Sequence, residues 1–183
     1  MARLPYLDKT DLLPEHQDIL ARDINVYRLI AHSPRGARSW HNIVRYLRDG
    51  SRLDSRLRQL AILQVGYLTR SDYEWSHHVK IGREFRVSDA DIRAIADETA
   101  GRPSSLEPLA RAVLRGAREM TTGLTMTDET FAELRDALGP ERLTDLVMTI
   151  AFYNGVVRML ATLDVDVEDD YRRYLEEFPL PKG

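Results

Sequence analysis

Apolar residues in this chain recur at spacings of three and four, and strict alternation is absent. The stretches "LAILQVGYL", "SHHVKIGREF", "LARAVLRGAREM", "FAELRDAL" and "LTDLVMTIAFYNGVVRMLATL" carry the pattern. A period near 3.6 gathers those side chains on one stripe of an α-helix, whereas a half-buried strand needs a period of two. The chain is therefore expected to be all-α, with helices at about 13–22, 25–31, 35–49, 54–69, 72–86, 89–99, 106–121, 128–138, 141–163 and 168–177. Its 183 residues suit one hydrophobic core, so a single domain over 1–183 is expected.

The punctuation agrees. Ser88, Ser105 and Thr127 each precede acids in a first turn, the chemistry of a helix N-cap. Gly139-Pro140 is expected to end one helix, and "AGRPSS" at 100–105 to separate two others. The closing segment "DVDVEDDYRRYLEEFPLPKG" reads as a charged helix and tail, a solvated cap over the bundle to which no chemistry is assigned.

The apolar run from Leu143 to Leu163 raises the question of a membrane span. Asp145 and Arg158 interrupt it, and charges are costly in lipid. A buried central or intersubunit helix is expected there, and no membrane partner. The opening "MARLPYLDKTDLLPEHQ" lacks the apolar run of a secretory signal, so a cytoplasmic location is expected. A net charge of -3 and the lack of a basic recognition helix argue against a nucleic-acid partner. The chain has no cysteine, which excludes disulfides, thiolate metal ligands and thiol-based peroxidase chemistry.

Against this background "TRSDYEWSHHVK", residues 69–80, stands out. Ser71 and Glu74 have the spacing of a capping box, which by itself would account for the glutamate. Glu74 and His78 are also four apart, so on a helix their side chains share one face. A carboxylate there can fix the tautomer of the imidazole, the side chain best suited to give or take a proton near neutral pH. Trp75 would supply apolar bulk and one N–H donor. His77 points about 100° away and reads first as a surface or interface histidine, with substrate contact as its functional alternative. A metal is not expected: Glu74 and His78 offer two ligands where catalytic zinc normally takes three, and His16, His32 and His41 form no recognised ligand spacing. Spacing alone leaves two readings open, a functional cluster or a capped helix start with a satisfied histidine.

Residues 57–95, "LRQLAILQVGYLTRSDYEWSHHVKIGREFRVSDADIRAI", resemble the carboxymuconolactone decarboxylase family, whose members share the alkylhydroperoxidase D-like helical fold. The family's Arg-Glu-Leu-Ala-Ile-Leu helix is matched by Arg58-Gln59-Leu60-Ala61-Ile62-Leu63. Its specific Tyr-Glu-Trp-x-x-His motif is matched by Tyr73-Glu74-Trp75-Ser76-His77-His78, and its following loop by Val87-Ser88-Asp89. The similarity extends over about 25–166, leaving 167–183 as a C-terminal helix and tail. Two departures matter. Where the peroxidase branch carries two cysteines, this chain has Ser71 and Glu74. Where the family typically carries a proton-relaying glutamate it has Gln59, an amide that can orient but cannot take up a proton.

The resemblance implies cofactor-independent chemistry on a small oxygenated, carbonyl- or lactone-containing metabolite, by a lyase of decarboxylase type or an isomerase. His78 would be the catalytic proton donor and Glu74 its catalytic partner. Gln59, Tyr67, Trp75, Tyr153, Asn154 and His77 are the substrate-binding candidates, although Tyr67, Tyr153 and Asn154 suit core packing equally well. Family members are commonly homotrimers or homohexamers, and a homo-oligomer is expected here. The alternative is a non-catalytic oligomeric binding or scaffold protein that keeps the fold.

Overall fold

The computed structural model describes residues 2–181, and among these every regular element is helical. The order is α1 (Asn25–Ile30), α2 (Pro34–Arg45), α3 (Ser55–Thr69), α4 (Asp72–Glu84), α5 (Asp89–Thr99), α6 (Pro108–Thr122), α7 (Asp128–Leu163) and α8 (Asp169–Glu177). The last two residues of the expected tail, 182 and 183, lie outside the described residues.

Helix α3 is the axis of the molecule. Every residue from Leu57 to Gly66 is buried, because α4, α5, α6 and α7 all pack around it. A helix covered on all sides has no solvent face, and this one accordingly buries Arg58, Gln59 and Gln64 with its aliphatic residues. Asp54 caps it by accepting the Leu57 N–H at 3.0 Å, and α4 doubles back after a short turn at Arg70–Ser71. This hairpin sets the face of α4 that carries His78 against the face of α3 that carries Gln59.

The capping signals mostly hold. Ser88 and Asp91 form a full capping box, and Thr127 accepts the Thr130 N–H. Ser105 does not start α6. Pro108, with its fixed φ and missing N–H, takes the first helical position, so the N-cap falls on Glu107. Gly139 (φ 76°) breaks α7, and Pro140 restarts it. The expected helices at 128–138 and 141–163 are thus two arms of one element.

Two elements differ in kind from expectation. Residues 14–20 wind as a 3-10 helix begun by Pro14, since only Ile19 and Leu20 are buried and no full apolar stripe holds an α-helix down. Helix α2 ends at Arg45 and widens into a π-turn over Tyr46–Gly50. Asp145 explains that widening: it accepts hydrogen bonds from the Tyr46 hydroxyl (2.7 Å), the Ser51 hydroxyl (2.7 Å) and the Arg52 N–H (3.0 Å). The charge that interrupts the apolar run is therefore buried and satisfied. The arm of α7 around it packs on α3 and α6.

The C-terminal segment is not a solvated cap. Tyr171, Tyr174 and Phe178 enter the core, and α8 lies along α4.

Candidate active site

Helix α4 delivers the site. Ser71 caps it, accepting the Glu74 N–H at 3.4 Å. The reciprocal half of the expected capping box does not form, because the Ser71 N–H already donates to the Gly66 carbonyl at 3.1 Å. The Glu74 carboxylate instead turns to His78 one turn on, with Oε1 2.9 Å from Nε2.

On the other side of the ring, His78 Nδ1 meets Gln59 Oε1 at 2.7 Å. The imidazole is therefore pinned between an amide from α3 and a carboxylate from its own helix, with 8% of the residue exposed. Tyr153 of α7 sets its ring edge-on against it, centroids 5.1 Å apart. Burial pushes the Tyr153 hydroxyl well above the ordinary phenol range, and the nearby Glu74 charge adds to the effect, so it remains a donor.

These four residues line one cavity, about 760 Å³ of empty space that includes its mouth. Apolar walls come from α1, α2 and α7, among them Val26, Trp40, Phe152 and Val156. Arg58, Arg48 and Arg22 also reach it. Four buried side-chain polar atoms lack a hydrogen-bond partner among the described residues, and two of them, Glu74 Oε1 and Arg58 Nη2, belong to this cavity. Oε1 is close to Nε2 but off the line of a hydrogen bond. Buried polar groups are nearly always paired, so two orphans on residues that line one cavity make it the candidate site.

The remaining candidates lie elsewhere. Trp75 does not reach the cavity; its Nε1–H donates to the Phe178 carbonyl at 2.7 Å. Tyr67 packs on Trp75, ring centroids 5.5 Å apart. Asn154 donates to Thr121 Oγ1 and to the Ile150 carbonyl, both at 3.0 Å, on a side of α7 away from the cavity. All three make the contacts that competed in the sequence: buried aromatic bulk and buried amides find partners in the core.

His77 borders the cavity, yet it is neither a surface histidine nor free to bind. Its ring is stacked between Tyr73 (4.1 Å) and Tyr171 (3.7 Å), and Nε2–H donates to Glu168 at 2.8 Å. Glu168 also accepts from the Asn25 N–H (2.6 Å) and the Tyr73 hydroxyl (3.1 Å). Burial holds His77 below its ordinary value. Burial pushes the Glu168 carboxyl up, but the hydrogen bonds from His77 and Asn25 outweigh it and leave it lowered.

Both shifts favour neutral pH. A histidine lowered on folding binds its proton more readily in the unfolded chain, so stability falls once pH drops below its unfolded value of about 6.5. A glutamate lowered on folding contributes stability above its unfolded value of about 4.3, and that is lost on further acidification. Thermal melts are expected to show stability declining from about pH 6.5 downward, with the first part of the decline flattened in His77→Gln.

Among the described residues no three His, Asp or Glu side chains converge to hold a metal ion.

The sequence over residues 34–119 matches the carboxymuconolactone decarboxylase family. Over that stretch the chain is similar to this family, and its fold is alkylhydroperoxidase D-like. A solved structure of an alkylhydroperoxidase AhpD core, an uncharacterized peroxidase-related protein from Ralstonia eutropha JMP134, is 20% identical, with a TM-score of 0.80 over 99% of this chain and 98% of that one. The debrominase Bmp8, solved as a variant in complex with 2,3,4-tribromopyrrole, is 18% identical, with a TM-score of 0.83 over 97% and 100%. A peroxidase-related protein from Silicibacter sp. TM1040 is 18% identical, with a TM-score of 0.74 over 92% of each chain. The search of curated proteins found no match.

Proposed function

We propose that the chain is a cofactor-independent enzyme, a lyase of decarboxylase type or an isomerase, in which His78 transfers a proton to or from a small carbonyl- or lactone-containing metabolite. One observation carries the reading: a buried imidazole, hydrogen-bonded at Nδ1 to Gln59 and with the Glu74 carboxylate 2.9 Å from Nε2, borders a cavity that Gln59, Glu74 and Tyr153 also line. The debrominase of the same fold, seen with a small halogenated pyrrole, supports a small-molecule substrate.

In a decarboxylation, the carbon–carbon bond to the carboxylate breaks, carbon dioxide leaves, and its electron pair enters a conjugated enolate. The imidazolium then protonates carbon. An isomerisation uses the same ring first as base and then as acid. Tyr153 would hydrogen-bond the enolate oxygen, a contact that strengthens as charge develops. Gln59 can serve both states of the ring by rotating its amide, offering carbonyl oxygen to a protonated Nδ1 and N–H to a bare one. A relaying glutamate is therefore not required at position 59.

The second reading, a non-catalytic binding protein, is favoured by the missing cysteines and by Gln59, which cannot carry a proton onward. Turnover by the wild type that vanishes in His78→Asn separates the two; binding of small molecules without any turnover would favour the scaffold.

We further propose a homotrimer or homohexamer. Met148 on the apolar arm of α7 is 38% exposed, with Ala151 exposed beside it, and a second copy would cover that face. Light scattering is expected to give an oligomeric mass that Met148→Glu lowers; a monomeric wild type would contradict it.

A further inference from the structure

Helix α6 carries Arg111, Arg115 and Arg118 at i, i+4 and i+7, which puts three guanidinium groups on one face. Like charges so spaced repel each other, and Arg111 stands near the start of its helix, where the backbone dipole is already positive. The face is not flat. The three arginines line a second hollow with Pro108, Glu98 and Glu133, about 500 Å³ of empty space that includes its mouth. It shares no lining residue with the cavity of His78.

Two of the guanidinium groups are braced from behind. Arg118 is half-buried and donates from Nη1 to Gln64 Oε1 at 3.2 Å. Gln64 is 0% exposed and is itself fixed by Thr99, to whose hydroxyl its Nε2 donates at 2.9 Å. Arg115 donates from Nε to Thr130 Oγ1 at 2.9 Å and pairs through Nη2 with Glu133. Arg111 is exposed at the rim. The charges do not cancel. Glu133 answers Arg115, but Glu98 accepts the Ser104 hydroxyl at 2.6 Å and acts on Arg118 only from beyond ion-pair distance. Among the described residues neither Arg111 nor Arg118 has a carboxylate partner. Burial lowers the affinity of Arg118 for its proton, yet an arginine remains charged in a protein.

We propose that this hollow binds a phosphate group, as free phosphate or as the monoester of a small molecule. A tetrahedral anion presents oxygens in several directions and can meet forks that converge from three positions, whereas one fork satisfies a planar carboxylate. The two unpaired cations match the nearly two negative charges of a phosphate at neutral pH. Arg115 and Arg118 are held in place before any ligand arrives, so they lose little freedom on binding it. The net charge of -3 gives the chain no general attraction for anions, so affinity here has to come from this local grouping.

The probes are inorganic phosphate, phenyl phosphate and acetate, added to the full chain with ionic strength matched by sodium chloride, and binding is followed by calorimetry and by thermal shift. At least one phosphate probe is expected to saturate and to raise the melting temperature, and acetate to do neither at the same concentration. Arg118→Gln, whose amide can still donate to Gln64, is expected to weaken phosphate binding about tenfold or more. Arg111→Glu reverses the charge at an exposed position and is expected to weaken it as much, so the test stands even where Arg118→Gln does not fold. Arg48→Gln, at the cavity of His78, should bind phosphate as wild type does. Tighter binding of phenyl phosphate than of phosphate assigns a monoester, and equal or weaker binding assigns the free anion; both support the site. No saturation by either phosphate probe at about ten millimolar, an effect that chloride alone reproduces, or equal binding of acetate would each overturn the proposal. So would undiminished binding in Arg111→Glu, or a loss confined to Arg48→Gln, which would put the anion in the other cavity.

Discussion

Replacing His78 by asparagine is expected to lower turnover by about 10²–10⁴-fold, the usual contribution of a positioned acid–base group. The fold should survive, because the polar partners of His78 are Gln59 and Glu74 and asparagine leaves the ring of Tyr153 and the rest of the cavity wall in place. Leaving Gln59 and Glu74 short of a partner costs about 1–3 kcal/mol, and asparagine restores part of that. Circular dichroism and a urea titration beside the kinetics separate lost chemistry from lost structure. A variant with wild-type turnover would remove His78 from the reaction. The loss is expected in kcat more than in KM, because the proton transfer occurs in the transition state and not on binding.

Trp75→Ala is expected to produce the largest loss of stability, about 3–5 kcal/mol for removing a large buried aromatic side chain. Trp75 is 2% exposed and ties α4 to the C-terminal segment through the Phe178 carbonyl. Trp75→Phe keeps most of the volume but orphans that carbonyl, with an expected loss of about 1–3 kcal/mol. Urea unfolding measures both. Equal effects of the two substitutions would mean that the hydrogen bond, and not the packing, is what Trp75 contributes.

The helices were legible because their signals are local. Apolar spacing, Ser88 with Asp91, Thr127, and the Gly139-Pro140 break each act within a few residues of chain. The pairing of Glu74 with His78 was legible for the same reason: i and i+4 meet on any helix. The contact between Gln59 and His78 needed the family resemblance to suggest it, since it joins two helices across a turn.

What could not be read depends on how helices are covered. Trp75 and Asn154 find partners 103 and 33 residues away, and Tyr67 packs on Trp75 only once α4 has folded back on α3, so no neighbour in the chain distinguishes a core contact from a cavity. Arg58 looks like a solvated charge until α3 is seen to be covered on all sides. The signal was available in the unbroken burial expected of "LRQLAILQVG", a stretch too apolar to leave its arginine in water. Glu168 was hidden in an acidic segment, where "DVEDDY" gives no hint that one of its carboxylates holds His77 and the N-terminus of α1.

Proton transfer to carbon leaves a mark even when the full reaction is unknown. Wild type and His78→Asn can be incubated in heavy water with a panel of small ketones, lactones and oxo acids, 4-oxopentanoate among them, and deuterium uptake beside the carbonyl followed by NMR. The account predicts that wild type accelerates exchange for at least one member of the panel and that His78→Asn returns it to the uncatalysed rate. Exchange that proceeds as fast in the variant, or no acceleration by wild type for any member of the panel, would contradict it.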